Sequence, residues 1–282
     1  MPHTKRPELR YDRASAQELI GVWDTAMTDL LSAVESAGPA GWDRPTPCPG
    51  WSVGDIVAHI NFLERFLLKR WDPPHEPVWD ALPHITDDFG RITEIPVDLR
   101  RSWTRDAVLA EFRQTRQDRL AQLRAGTQDL TAAVDGPFGV PWPLDRVLRT
   151  RIFDIWVHEQ DIRAALDNQE HWDSAPAWVS AAQLTTALPV VWARNTAAPP
   201  GTSCEVAVTG PGVQFTARVE CGADNRGRFA PPDDASPATV RVRLGWPDLV
   251  RLMCGRGTPD SVAADGDPEL VRSLLANMSV TP

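Results

Sequence analysis

The chain has 282 residues, enough for about two average domains or one large one. Lys and Arg number 29 against 38 Asp and Glu. The resulting formal charge of −9 offers no basic field to a phosphate backbone or an anionic membrane, so neither partner is expected. With 42% hydrophobic and 24% charged residues the composition is that of a folded protein, which excludes the disordered and fibrous classes.

The chain opens on a polar segment, residues 1–7, without the apolar core of a secretory signal, and no run of about 18 apolar residues follows, which predicts a cytoplasmic protein. Over residues 15–37, Leu19, Val22, Trp23, Met27, Leu30, Leu31 and Val34 recur at helical spacing, and Ser15 with Glu18 has the form of a capping box. Pro45, Pro47, Pro49 and Gly50 then interrupt the chain. Ser52 can cap a second helix over residues 53–71, with Ile56, Ile60, Leu63, Leu67 and Trp71 as its core stripe. Residues 72–104 are rich in Pro, Asp and His without a sustained period and read as a long irregular connection, of the kind that often covers a site. A third helix is predicted over residues 105–124, with Val108, Leu109, Phe112, Arg116, Leu120 and Leu123 on one stripe. A fourth follows over residues 144–166, carrying Val147, Ile152, Ile155, Trp156, Ile162 and Leu166. A further helix over residues 175–194 is expected to break or kink at Pro189.

Beyond the Pro- and Gly-rich residues 197–203 the period changes from helical to alternating. Cys204, Val206 and Val208, then Val213, Phe215, Ala217 and Val219, then Val240, Val242 and Leu244 alternate with polar residues and read as strands. Thr209-Gly210-Pro211-Gly212 suits a hairpin turn, and residues 246–253 and 268–278 suit short helices. A boundary near residue 200 is therefore expected, between an all-helical domain of residues 1–200 and a smaller α+β domain of residues 201–282.

Cys48, Cys204, Cys221 and Cys254 form no CxxC pair, which argues against a thiolate cage and leaves His and carboxylates as the ligands for any metal. His59 and His158 fall within amphipathic helices, whereas His3, His75, His84 and His171 fall in the tail or in loops. Asp154 and His158 are four residues apart, so both project from one helical face with about 5–6 Å between their Cβ atoms. One ion could bind both, with His59 as a third ligand from another helix. Two imidazoles and a carboxylate would leave a coordination position open, as a Lewis-acid site requires. A surface ion pair and a hydrogen-bonded core histidine account for the same spacing without a metal. Cys48 precedes a helix N-terminus, but the sequence names no base beside it, so packing in the loop is its expected role. Gly210 and Gly212 lack the Lys-Ser/Thr pair of a phosphate loop, and no Gly-x-Ser-x-Gly elbow occurs.

Thr46-Pro47-Cys48-Pro49-Gly50-Trp51-Ser52-Val53, running into Asp55-Ile56-Val57-Ala58-His59, resembles the first signature of the mycothiol-dependent maleylpyruvate isomerase family, within the DinB-like metalloenzyme superfamily. The run from Arg151 through Asp154 and His158 to Leu166 resembles the family's fourth-helix segment, in which a carboxylate and a histidine one turn apart bind the metal. The resemblance spans nearly the whole chain. It implies a DinB-like four-helix bundle followed by a smaller, sterol-carrier-like α+β domain. It also implies His59, Asp154 and His158 as ligands of a divalent ion, usually zinc, that binds mycothiol, a low-molecular-weight thiol. The family pattern has Glu where this chain has Asp154, and the shorter arm draws the metal toward the helix.

A metal-bound thiol is deprotonated at neutral pH, and the thiolate is the nucleophile. The resemblance thus implies an enzyme that attacks a small electrophile, maleylpyruvate among them, as isomerase or S-transferase; the residues leave that choice open. Arg151 and Asp161 share the face of His158 and could orient ligands or bind substrate carboxylates, or simply form an intrahelical charge network. Gln160 is at best a group behind the ligands. Arg256, in Leu252-Met253-Cys254-Gly255-Arg256-Gly257, resembles the family's Gly-Arg turn and could reach a substrate carboxylate, with surface solvation as its other role. A thiol-independent metal hydrolase and a non-catalytic small-ligand binder are the rival readings.

Overall fold

The computed structural model of the chain describes residues 6–231, 236–257 and 261–281, so His3 lies outside the described residues. The chain divides into two compact units, Arg13–Glu170 and a second made of Met1–Asp12 with His171–Pro282. Among the described residues no helix is long and apolar enough to cross a membrane.

The first unit is helical apart from one small hairpin. Helix α1 (Ala16–Gly41) starts at Ser15, whose hydroxyl accepts from the Glu18 N–H while the Glu18 carboxylate accepts from the Ser15 N–H, the capping box expected from the sequence. The helix is interrupted at Gly38, where φ is +60°, just before Pro39. Trp23, Met27 and Leu30 are fully buried along a face that packs chiefly on α5 (Leu144–Ala165), each contributing about 1.5–3 kcal/mol by leaving water. Helix α2 (Val53–Leu67) is closed by the Arg70 N–H donating to the Arg65 carbonyl, with Lys69 at φ +59°. It therefore stops short of residue 71. Trp71, expected in the core stripe, is 64% exposed.

The connection over residues 72–104 is not irregular throughout. It holds helix α3 (Asp88–Arg101), capped by the Asp87 carboxylate accepting from the Gly90 N–H. Its buried residues are Thr93, Glu94, Pro96, Val97 and Arg100, whereas Phe89 and Ile92 point outward. The usual hydrophobic pattern is thus inverted, and Pro96 sits mid-helix, which is why no helical period shows in the sequence. Helix α4 (Arg105–Ala125) follows, capped by Thr104. Strands β1 (Ala133–Asp135) and β2 (Pro141–Pro143) then pair antiparallel in a hairpin ahead of α5 that the sequence does not announce.

The second unit carries α6 (Ala175–Val190), which passes Pro189 into one π-helical turn at Val191–Asn195. Its sheet is formed by β3 (Ser203–Thr209), β4 (Phe215–Cys221), β5 (Gly227–Phe229), β6 (Val240–Gly245) and β7 (Ala263–Gly266), in the order β5-β4-β3-β6-β7. Only the β3–β6 pair is parallel. The alternation read in the sequence holds, with Val206, Val208, Ala217, Val219, Val240, Val242 and Leu244 all buried. β5 and β7 are short flanking strands without that alternation. Helices α7 (Trp246–Met253) and α8 (Pro268–Ala276) complete the unit.

The division between Glu170 and His171 comes earlier than the boundary expected near residue 200. Helix α6 belongs with the sheet: it packs on β4 and β5 so closely that a Cβ at Gly227 would fall 1.8 Å from the Pro189 carbonyl oxygen. The composition change at residues 197–203 marks a switch from helix to strand inside one unit. The result is a mixed helical and sheet protein of two units.

Candidate metal centre

The centre lies within the first unit, where α2 and α5 face each other. Helix α2 is held at its start by a second capping box, in which the Ser52 hydroxyl accepts from the Asp55 N–H and the Asp55 carboxylate accepts from the Ser52 N–H. Just before it the chain doubles back, with the Thr46 N–H donating to the Trp51 carbonyl and the Val53 N–H to the Arg44 carbonyl, both at 3.0 Å. Gly50 turns this loop at φ +77°, and a Cβ there would lie 2.3 Å from the His84 ring, so both the backbone and the space require glycine.

Asp154 and His158 lie one turn apart on α5, and the fold brings His59 of α2 to them. One ligand atom from each lies within 4.8 Å of the other two. The His59 Nε2 is 3.6 Å from Asp154 Oδ2, and the His158 Nε2 is 3.8 Å from Asp154 Oδ1. The two imidazole rings meet edge-on at 5.0 Å. These separations are long for hydrogen bonds. The His–Asp separations, each to a different carboxylate oxygen, are a little longer than the distance of about 3.3–3.4 Å between neighbouring ligand atoms of a tetrahedral ion with bonds of about 2.0–2.1 Å. Burial pushes the His59 imidazole below its ordinary pKa, against the pull of Asp154, which keeps it neutral and able to donate a lone pair. Burial alone would raise the Asp154 carboxyl. The Arg151 guanidinium and the two imidazoles outweigh it and hold the group well below the usual carboxylate range. Two imidazoles and an ionised carboxylate are a donor set that fits a zinc-like divalent ion.

Each ligand has a supporting partner or neighbour. The His158 Nδ1 lies 3.1 Å from Asp161 Oδ2, and with the proton on Nδ1 this contact leaves Nε2 for the centre. Arg151 donates from Nη1 to Asp154 Oδ2 and from Nε to Glu64 Oε1, both at 2.7 Å, and Glu64 also accepts from Arg119 Nε at 3.3 Å. Trp51 packs 4.7 Å from the His59 ring and 5.8 Å from the His158 ring, its indole N–H donating to Glu94 Oε2 at 2.7 Å. Glu94 is fully buried and accepts from Arg101 as well.

Arg151 and Asp161 thus stand beside the ligands, as their helical face indicated. Arg256 lies in the second unit, where its Nη1 donates to the Cys254 carbonyl at 2.6 Å. Glu159 accepts from Arg163, and Gln160 is buried with no hydrogen-bond partner for its amide among the described residues. The fold supplies Cys48 with the neighbours that the sequence could not name: its sulfur lies within 4.8 Å of ligand atoms of His158 and Asp161. Sequence reasoning missed Glu64, Trp51 and Glu94 as supports. The available hint was an acid at position 64 among the apolar Ile60, Leu63 and Leu67, with Arg151 waiting on another helix.

The family described as mycothiol maleylpyruvate isomerase N-terminal domain matches residues 23–163, and the MDMPI C-terminal domain matches residues 178–273. Among solved structures the chain is similar to the mycothiol-dependent maleylpyruvate isomerase, at 16% identity and a TM-score of 0.56, over 91% of this chain and 96% of that one. It is also similar to a histidine-to-alanine variant of that enzyme, at 16% identity and a TM-score of 0.57 with the same coverage. At this identity the likeness is one of fold. No curated protein matches.

Proposed function

The chain belongs to the mycothiol maleylpyruvate isomerase family of enzymes, and from that premise we propose that it is a metal-dependent, mycothiol-using isomerase or S-transferase. The observation that carries the reading is the buried convergence of His59, Asp154 and His158 at ligand spacing. A divalent ion held by these three, zinc by the chemistry of the donors, would supply Lewis acidity that keeps the mycothiol sulfur as thiolate at neutral pH. In the same reading the first unit is a DinB-like four-helix bundle elaborated by α3, the second a sterol-carrier-like domain, and the protein works in the cytoplasm, where thiols stay reduced.

The residues divide the work by position. His59 and His158 present imidazole nitrogens to the ion. Asp161 fixes the His158 tautomer. Arg151, anchored on Glu64, aims the Asp154 carboxylate and balances its charge. Trp51 covers one side of both imidazoles and excludes water there. The thiolate would form a C–S bond to a conjugated electrophile, the alkene electron pair passing to an enolate. In an isomerase the carbon–carbon bond, now single, would rotate and the enolate would re-form the double bond as it expels the thiolate; in a transferase the enolate would take a proton from solvent and the sulfur would stay.

Metal analysis of the purified chain tests the first step. About one equivalent of zinc, lost in His59→Ala and His158→Ala, is the expected result. A well-folded chain that binds none overturns the metal reading and favours a binding protein. Thermal shift of the zinc-loaded chain with mycothiol, against glutathione, tests the second. Absence of a mycothiol-specific shift removes the thiol and leaves metal-dependent hydrolysis.

A further inference from the structure

We infer that five aromatic rings leading outward from the His59 face of α2 seat the body of the second substrate, and that this substrate is an aromatic or similarly flat apolar electrophile. The inference rests on the reading above, that a thiol and an electrophile meet at His59, Asp154 and His158. Phe62 and Phe66 follow His59 on α2 by three and seven residues. All three side chains therefore share one helical face, and Phe66 stands about 10 Å along the axis from the histidine. From there the rings continue outward as one connected set. Phe62 and Phe66 are 6.2 Å apart between centroids; Phe66 meets Trp71 at 5.0 Å and Phe138 at 6.0 Å; Phe138 meets Phe89 at 5.7 Å. The set draws on the end of α2, the residues after it, the first turn of α3 and the tip of the β1–β2 hairpin.

Its outer rings are not core. Trp71, Phe89 and Phe138 are 64%, 45% and 37% exposed, whereas Trp23 and Trp156 of the same unit are buried completely. Phe138 holds its ring against Phe66 and Phe89 from φ +58° and ψ 26°, a left-handed conformation that a bulky side chain rarely adopts and keeps only where its surroundings impose it. The scale of the patch argues for a small molecule. A stable protein interface takes about 20–30 residues a side, far more than five rings, whereas a small-ligand site is lined predominantly by apolar and aromatic side chains. Continuity with the His59 face of α2 aims such a ligand at the centre. A small, wholly polar acid would draw nothing from these rings.

The test uses 2-naphthol as probe, titrated calorimetrically into the full, zinc-loaded chain. Phe138→Gly keeps the left-handed backbone and changes only an exposed ring; Phe66→Ala removes the hub of the set. One binding site is expected, weakened about tenfold by each variant, the loss typical of removing one stacked ring, and not displaced by maleate. No binding by the unaltered chain, or an affinity unchanged in both variants, overturns the inference. So does a dimer in sedimentation that Phe138→Gly converts to monomer, since the rings would then cover a second copy. With mycothiol present, 4-phenylbut-3-en-2-one should be preferred over pent-3-en-2-one once each is corrected for its uncatalysed rate, and Phe138→Gly should erode that preference. If 2-naphthol binds and responds to the variants while neither enone reacts, the ring seat stands and the thiol chemistry falls.

Discussion

Arg151→Met is the substitution that most directly probes the charge network behind the centre. Methionine keeps much of the volume, so the loss is ionic. The Arg151 side chain is 2% exposed and donates two 2.7 Å charge-assisted hydrogen bonds, to Glu64 and to Asp154. Removing one partner of a buried ion pair costs about 3–5 kcal/mol, because the charge left behind is uncompensated. Glu64 keeps Arg119 at 3.3 Å, and Asp154 is a quarter exposed and has His59 beside it, so the low end, about 3 kcal/mol, is expected at neutral pH. Glu64→Gln removes the other end of the same pair. The double variant should therefore lose less than the sum of the singles, by about 1–3 kcal/mol. Urea unfolding of the metal-free chain, followed by far-ultraviolet circular dichroism on the helix-rich transition, measures all four corners of the cycle. A single-variant loss below about 1 kcal/mol, or strict additivity, would refute the claim that Glu64 and Arg151 act as one unit.

Gly50→Ala forces a Cβ to within 2.3 Å of the His84 ring at φ +77°; destabilisation of about 1–3 kcal/mol is expected, and an unchanged melting temperature would contradict the packing described for the Trp51 loop. Trp51→Phe keeps a ring beside the imidazoles but leaves the buried Glu94 carboxylate without the indole donor, for an expected cost of about 1.5–3 kcal/mol, read in the same unfolding assay. Because burial depresses the His59 pKa, the unfolded chain takes up this proton first as pH falls. The His59 contribution to stability is therefore complete above the ordinary imidazole value of about 6.5 and declines below it until the folded pKa is passed. Urea midpoints of the metal-free chain and of His59→Asn should diverge in slope over that window, and parallel profiles would count against a buried neutral His59. Thiol titration of the native chain should find Cys48, which is half-buried, reacting ahead of Cys204, which is buried with its thiol pushed up to about 12; reaction of Cys204 at the rate of Cys48 would contradict the sheet packing.

Local chemistry was enough to place many elements. Ser15 with Glu18, and Ser52 ahead of an apolar stripe, mark helix starts because capping is decided by residues within one turn. The alternation of Val206, Val208, Ala217 and Val219 marks strands for the same reason, since side chains alternate faces whatever the sheet order. Asp154 and His158 could be paired from helical geometry alone. Where a segment's stability comes from elsewhere, the reading failed. Helix α3 buries Glu94 and Arg100 on partners from other segments and exposes Phe89 and Ile92, so its sequence carries the pattern of a loop. Trp71 fitted the α2 stripe, but Lys69 leaves the helix two residues earlier.

What the sequence by itself determined was therefore local: the helix caps, the strand alternation, the family signatures and the i, i+4 pair on α5. Tertiary structure alone decided the assignment of α6 to the sheet-bearing unit, the approach of His59 to that pair, and the partners that hold Asp154 and Trp51 in place. The physical reason is that a buried charge such as Glu64 or Arg151 is tolerable only where a partner from a distant part of the chain meets it, and spacing along one helix says nothing about that meeting.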